Sequence, residues 1–234
     1  MIVLQHLSIV FVHIPKNAGS YVKRSLKSNN NVLRNQFFLG LCSSSLSRIQ
    51  ANIFNTPSSF TLIQKKDPYS QLRAVNRAKN GHASSSDFIL YTPIVKPQTY
   101  LFVWRDPIAR LVSFYNFVRS KPRHYLYQYS IQSKNIFTFY NQMYSCFGRI
   151  KLESQYSMIK GALNSPSSKL IALRQHSLST DLYKLHLLYP DLQVNLPTNE
   201  VNQSPVNTPY TSDIGNIGDF CPEDMLFDPS PYYI

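Results

Sequence analysis

Ile9-Val10-Phe11-Val12-His13-Ile14-Pro15-Lys16-Asn17-Ala18-Gly19-Ser20-Tyr21-Val22-Lys23-Arg24-Ser25-Leu26 is the stretch on which the fold turns. A β-branched, apolar run meets Pro15, passes through small polar residues, and continues in a helix-compatible pattern. That order predicts a buried strand over 8–14, a tight loop, and a helix over 19–28 that the polar break from Ser28 to Asn31 ends. A strand feeding small residues into a helix N-terminus suits a phosphate. The backbone N–H groups of the first turn point at the anion, and the helix dipole adds about half a positive charge. In such a loop Gly19 lets the backbone come close to the ligand, Lys16 supplies a mobile ammonium, and Ser20 supplies a hydroxyl. The spacing is not that of an ATP-binding P-loop, Gly-x-x-x-x-Gly-Lys-Ser/Thr, because Lys16 precedes the small residues instead of following them.

Charge supports an anionic ligand near this loop. The chain carries a formal net charge of +12 over 234 residues, unevenly spread. Residues 1–124 hold 17 Lys and Arg against 3 Asp and Glu, whereas residues 125–234 hold 7 against 9. The positive field therefore sits in the half that carries the loop. Nucleic acid is the first rival, since a basic half rich in Tyr and Phe is what phosphate contact plus base stacking would use. Zinc-finger spacing, an RNA-binding sheet signature and a helix-turn-helix pattern are all missing from the sequence, which argues against it.

Length and a 43% hydrophobic content fit one globular domain spanning 1–234. Cys42, Cys146 and Cys221 are odd in number and far apart, so they read as idle thiols, neither a disulfide framework nor a metal site. Met1 to Leu4 is apolar, but His6 interrupts it and no signal-peptide pattern or membrane-length run follows. The chain is therefore expected to be soluble and cytoplasmic. The Asn202-Gln203-Ser204 sequon matters only in a secreted chain.

A second block reads as clearly as the first. Tyr100-Leu101-Phe102-Val103-Trp104 is a fully apolar strand, and Arg105 emerges from its end. Asp106 can cap the following helix, Pro107 fits its first turn, and Ser113 lies two helical turns along. Arg110 reads as structural, bracing the loop. Aromatics recur from Phe117 to Tyr144, more as helical core packing than as a stacking platform, and Arg119, Lys121, Arg123 and His124 form a short basic cluster. Further on, residues 152–164 read as a helix, Lys169–Arg174 as a late strand, and Ser179–Tyr189 as an amphipathic helix. That helix would be capped by Ser179-Thr180-Asp181, with Leu182, Leu185 and Leu188 on one face. Phe60–Ile63 is a candidate short strand, and the tail from Leu196 reads as loop.

Phe11 to Ser20 closely resembles the 5′-phosphosulfate loop of sulfotransferases that use 3′-phosphoadenosine 5′-phosphosulfate (PAPS). The likeness is to the carbohydrate sulfotransferase family, which includes the heparan and chondroitin enzymes. The usual family wording is Lys-Thr-Gly-Gly-Thr-Ser; here Asn17, Ala18 and Tyr21 stand where Thr, the first Gly and the last Ser are commoner. Arg105-Asp106-Pro107-x-x-Arg110-x-x-Ser113 is similar to the family's 3′-phosphate site. Gly81-His82 resembles the pair that commonly follows the family's second core strand, whose histidine lies beside the acceptor hydroxyl.

The resemblance implies an α/β, P-loop-like three-layer fold, with a central mainly parallel sheet flanked by helices and the ligand at the strand C-terminal ends. It implies PAPS as co-substrate, no metal, and a carbohydrate or other hydroxyl acceptor. Lys16, Asn17, Ala18, Gly19, Ser20 and Tyr21 would hold the 5′ end, and Arg105 and Ser113 the 3′-phosphate. Lys16 would also stabilise the leaving group. His82 would be the general base, a role that fits an unperturbed pKa of about 6.5. Two rivals stand beside this reading: a kinase-like nucleotide phosphotransferase, which would need Mg²⁺ and an acidic metal ligand, and a non-catalytic binder of nucleotide or polyanion.

Overall fold

The computed structural model describes residues 2–4, 7–26, 32–34, 85–86, 99–196 and 216–234. His82, Cys42, Phe60–Ile63 and the sequon lie outside these residues. Five strands form one sheet: β1 (Ile2–Leu4), β2 (Ile9–Val12), β3 (Val32–Arg34), β4 (Thr99–Trp104) and β5 (Lys169–Arg174), in the order β3-β1-β2-β4-β5. The three-stranded half β2-β4-β5 is parallel, with Val12 opposite Phe102 and Trp104 opposite Arg174. The α-helices named among the described residues are α1 (Gly19–Ser25), α2 (Pro107–Arg119), α3 (Tyr127–Gln132), α4 (Ile136–Phe147), α5 (Gln155–Leu163), α6 (Leu178–Leu188) and α7 (Pro222–Leu226).

Strand alternation sends successive side chains to opposite faces, and both faces are covered. On one, Val10, Val12, Tyr100, Phe102, Trp104 and Ala172 pack against Met158, Ile159 and Ala162 of α5, with Phe227, Tyr232 and Tyr233 of the tail alongside. On the other, Ile9, Phe11, Leu101, Val103, Ile171 and Leu173 meet Val22 of α1 and Leu178, Leu182 and Leu185 of α6. Every residue of β2 and β4 is buried, as strands covered on both faces require. A third cluster joins α2 and α4 through Leu111, Phe114, Tyr115, Val118, Phe139, Tyr140 and Met143. The aromatic run is therefore mainly core, although Tyr125 and Tyr144 stay exposed.

The parallel strands β2-β4-β5 with helices on both faces are the α/β fold expected, and several local expectations need correcting. The apolar N-terminal residues form β1, antiparallel to both β2 and β3. The first parallel strand is 9–12 instead of 8–14, because His13 and Ile14 already belong to the buried start of the loop. Helix α1 ends at Ser25, short of residue 28, with Leu26 as its C-cap, and the Ser25 carbonyl accepts from the Asn195 amide at 2.9 Å. In α6 the cap is Ser177, with no side-chain hydrogen bond. Asp181 is instead buried and accepts from the Arg174 backbone amide at 2.7 Å and from its guanidinium. Leu188 points to solvent, because Leu192, folded back by a turn onto the Tyr189 carbonyl, joins that core instead. The tail is not plain loop. It contains α7, and Tyr233 bridges to Ala172 along the outer side of β5.

Ser85 and Ser86 lie along α5. The Ser85 hydroxyl donates to the Met158 carbonyl at 3.0 Å and accepts from the Ala162 amide at 3.1 Å. The two backbones are close enough that a Cβ on Gly161 would come within 2.6 Å of the Ser86 Cα.

Candidate active site

The loop after β2 and the turn after β4 leave the C-terminal ends of neighbouring parallel strands, so Lys16 and Arg105 start side by side. They touch. Arg105 Nη1 donates to the Lys16 carbonyl at 3.0 Å. Lys16 has φ +69° and Ala18 φ +56°, both in the left-handed region that L-residues avoid. The position where the family commonly has its first glycine is thus one that a glycine would fill without strain, and Ala18 occupies it regardless. Such strain, roughly 1–3 kcal/mol per residue, persists where surrounding contacts over-determine the backbone.

Those contacts are visible. Asn17 is fully buried, and its side-chain amide donates to the Val103 carbonyl at 2.7 Å and to Gln155 Oε1. Its side chain therefore braces the loop from inside. Gln155, also fully buried, is tied in turn to the backbone of Arg105: its Oε1 accepts from the Arg105 amide at 3.2 Å and its Nε2 donates to the Arg105 carbonyl at 2.9 Å. Arg110 is the second brace. Its Nε donates to the Pro15 carbonyl at 3.0 Å, its Nη2 to the Glu153 carbonyl at 2.7 Å, and its Nη1 faces Asp224 at 3.4 Å. The structural role read for Arg110 from sequence matches this geometry.

Gly19 is needed for close approach. A Cβ there would fall 1.8 Å from His13 Cδ2 and 2.2 Å from Nε2, inside a ring that is itself buried and stacked on Phe11. Gly19→Ala is expected to lower stability by about 1–3 kcal/mol, the usual effect of overpacking. Thermal unfolding of Gly19→Ala, with and without His13→Ala, checks this. The double variant should recover part of the loss, and an unchanged midpoint in the single variant refutes the clash.

Lys16 is half-buried, with Nζ 4.2 Å above the Phe117 ring centroid. Burial, then the positive charges of Arg105 and Lys121, push its pKa down to about 8. Helix α1 begins at Gly19 with no side-chain cap on its first-turn amides, whereas the Asp106 carboxylate caps α2 by accepting from the Ala109 amide at 2.7 Å. An uncapped helix start beside a crowded lysine and an arginine is an electropositive corner suited to an anion.

Of the other residues expected in the site, Ser20 and Ser113 are half-buried, Ser113 on α2 beyond Arg105. Tyr21 leans against the α6 side, its hydroxyl 3.2 Å from Ser179 Oγ. Among the described residues, no group of three or more His, Cys, Asp or Glu is arranged to hold a metal ion, and no helix is long and apolar enough to cross a membrane. Cys221 is buried, which pushes its thiol up to about 12 and makes it unreactive, while Cys146 is a free exposed thiol. Sequence reading missed Gln155 and Asp224 as neighbours of the site, and had Phe117 and Lys121 only as members of the aromatic run and the basic cluster. Gln155 is 138 residues from Asn17, and no local pattern marks such a partner.

Neither a curated protein nor a solved structure matches the chain. A family model described as "Sulfotransferase family" matches residues 1–176, a span that includes β1 through β5 and every residue expected in the site. With an α/β fold, a parallel strand half and two basic turns meeting at its C-terminal ends, the chain belongs to the sulfotransferase family.

Proposed function

We propose that this sulfotransferase moves a sulfuryl group from PAPS to a hydroxyl of a carbohydrate or glycan. The observation that carries the reading is the Arg105–Lys16 contact: two basic turns adjoin, as gripping both ends of one doubly phosphorylated nucleotide requires. In this reading Lys16 and the loop amides hold the 5′-phosphate and stabilise the charge that builds on it as its bond to sulfur breaks. Asn17, Ala18, Gly19, Ser20 and Tyr21 shape that end, and Arg105 and Ser113 hold the 3′-phosphate. The acceptor oxygen forms the new bond to sulfur and gives its proton to His82. Catalysis is then mainly positioning and charge stabilisation, with no metal in the reaction.

Turnover of PAPS against a panel of glycans, with and without a chelator, tests this. The expected result is a gain of one sulfuryl group on an acceptor, seen by mass spectrometry and insensitive to the chelator. His82→Ala should lose roughly 10²–10⁴-fold in kcat, the range for a general base, while adenosine 3′,5′-bisphosphate still binds. A fully active His82→Ala removes the base assignment. Transfer of phosphate from a nucleotide, dependent on Mg²⁺, would favour the phosphotransferase reading, and binding without turnover the non-catalytic one.

A further inference from the structure

We propose that Gln155 is the positioning residue that sets the spacing between the two phosphate-gripping turns, so that it selects for nucleotides carrying phosphates at both ends. The inference rests on the functional reading above. It starts from one fully buried side chain that belongs to neither turn yet is bonded to both.

Each turn alone is a loop hung from a strand end. The β2 turn carries left-handed residues at 16 and 18, and the β4 turn is two residues between Trp104 and the start of α2. Arg105 Nη1 on the Lys16 carbonyl links them, but through a long side chain that a phosphate would itself recruit. Gln155 is different. It is the first residue of α5, a helix whose start is held by the Ser154 hydroxyl on the Ser157 amide at 3.0 Å and by the Asp224 carboxylate on the Tyr156 amide at 2.8 Å. From that fixed base one carboxamide uses both of its ends. Its oxygen takes Asn17 Nδ2 and the Arg105 amide, and its nitrogen donates to the Arg105 carbonyl. Both arms on Arg105 are to backbone, so they fix where that turn sits whatever its side chain meets.

A ligand bound at both ends gains over one bound at a single end only while the two grips keep the right separation, because a preformed spacing avoids the ordering loss on binding. A ligand bound by one phosphate is indifferent to the other turn. Removing the carboxamide should therefore weaken two-ended ligands selectively, which general damage to the fold would not do.

Calorimetric titration of wild type and Gln155→Met with adenosine 3′,5′-bisphosphate and with adenosine 5′-monophosphate tests this. Methionine keeps the length and removes the polar ends. The expected result is a loss of about tenfold or more for the bisphosphate, with the monophosphate changed by less than about twofold. Where Gln155→Met fails to fold, Gln155→Asn carries the test. One methylene short, it cannot reach both turns, and it should lose at least about threefold for the bisphosphate with the monophosphate still within about twofold. Equal losses for both ligands, or none, overturn the role of Gln155 and leave the proposed function standing. A wild-type protein that does not bind the bisphosphate overturns the functional reading, and this inference with it.

Discussion

On the proposed function, a Lys16→Met variant is expected to lose roughly 10²–10³-fold in kcat/KM for PAPS, the size measured when one preorganised donor is removed from a developing oxyanion. The loss should fall mostly in kcat, because in that role the ammonium would do most for the leaving group once its bond to sulfur is breaking. Lys16 also gives the reaction a pH signature. Burial first, and then Arg105 and Lys121, hold its pKa at about 8 against an ordinary 10.5. Since kcat/KM reports the free protein, it should fall as pH rises through about 8, where the ammonium gives up its proton. In Lys16→Arg that limb should vanish, because a guanidinium stays charged throughout the range. For folding the sign is opposite. Between about 8 and 10.5 the unfolded chain holds more protons at this site than the folded one, so its contribution to stability rises with pH across that window. Turnover measured from pH 6 to 10 on the three proteins decides it. A descending limb that persists in Lys16→Arg, or a Lys16→Met variant within about tenfold of wild type, excludes this role for the lysine.

Asp224→Ala is expected to be the most destabilising of the simple substitutions, by about 3–5 kcal/mol. Arg110 is buried with its charge facing Asp224, itself buried, at 3.4 Å. Burial lowers the arginine to about 10 despite the pull of the carboxylate, and it raises the carboxylate despite two backbone N–H groups and the arginine. Both shifts point towards neutrality, so desolvation outweighs the attraction and the pair is no great net stabiliser. Removing one member is another matter. It strands a guanidinium in the interior and takes an acceptor from the first turn of α5. For a chain of this length each kcal/mol moves the unfolding midpoint by roughly 2–4 °C, so a drop on the order of 10 °C is expected. Asp224→Asn, which keeps an acceptor for the Tyr156 amide, should lose less. A midpoint for Asp224→Ala within about 2 °C of wild type would show that Arg110 is held by the Pro15 and Glu153 carbonyls alone.

Much of the molecule is legible in local sequence because the forces concerned act over short chain distances. The apolar runs that became β2 and β4, the Asp106–Pro107 helix start and the strand at Lys169–Arg174 follow from patterns a few residues long. The two turns carrying Lys16 and Arg105 end such strands, so their kinship to sulfotransferases could be read from the residues themselves. Why Asp181 is a buried partner of Arg174 and not a cap, and that Ile2–Leu4 pairs antiparallel at the sheet's other side, were decided by contacts between distant segments. The same holds for the braces. Gln155 carries no local signal because its bonds run to residues 50 and 138 positions away, and Asp224 becomes a counter-charge only once the tail has folded against Arg110. Sequence alone supplied the groups proposed to grip phosphate, since that proposal rests on residue type and local backbone. How far apart they are held is set by buried hydrogen bonds across the core, which form only after the chain has packed.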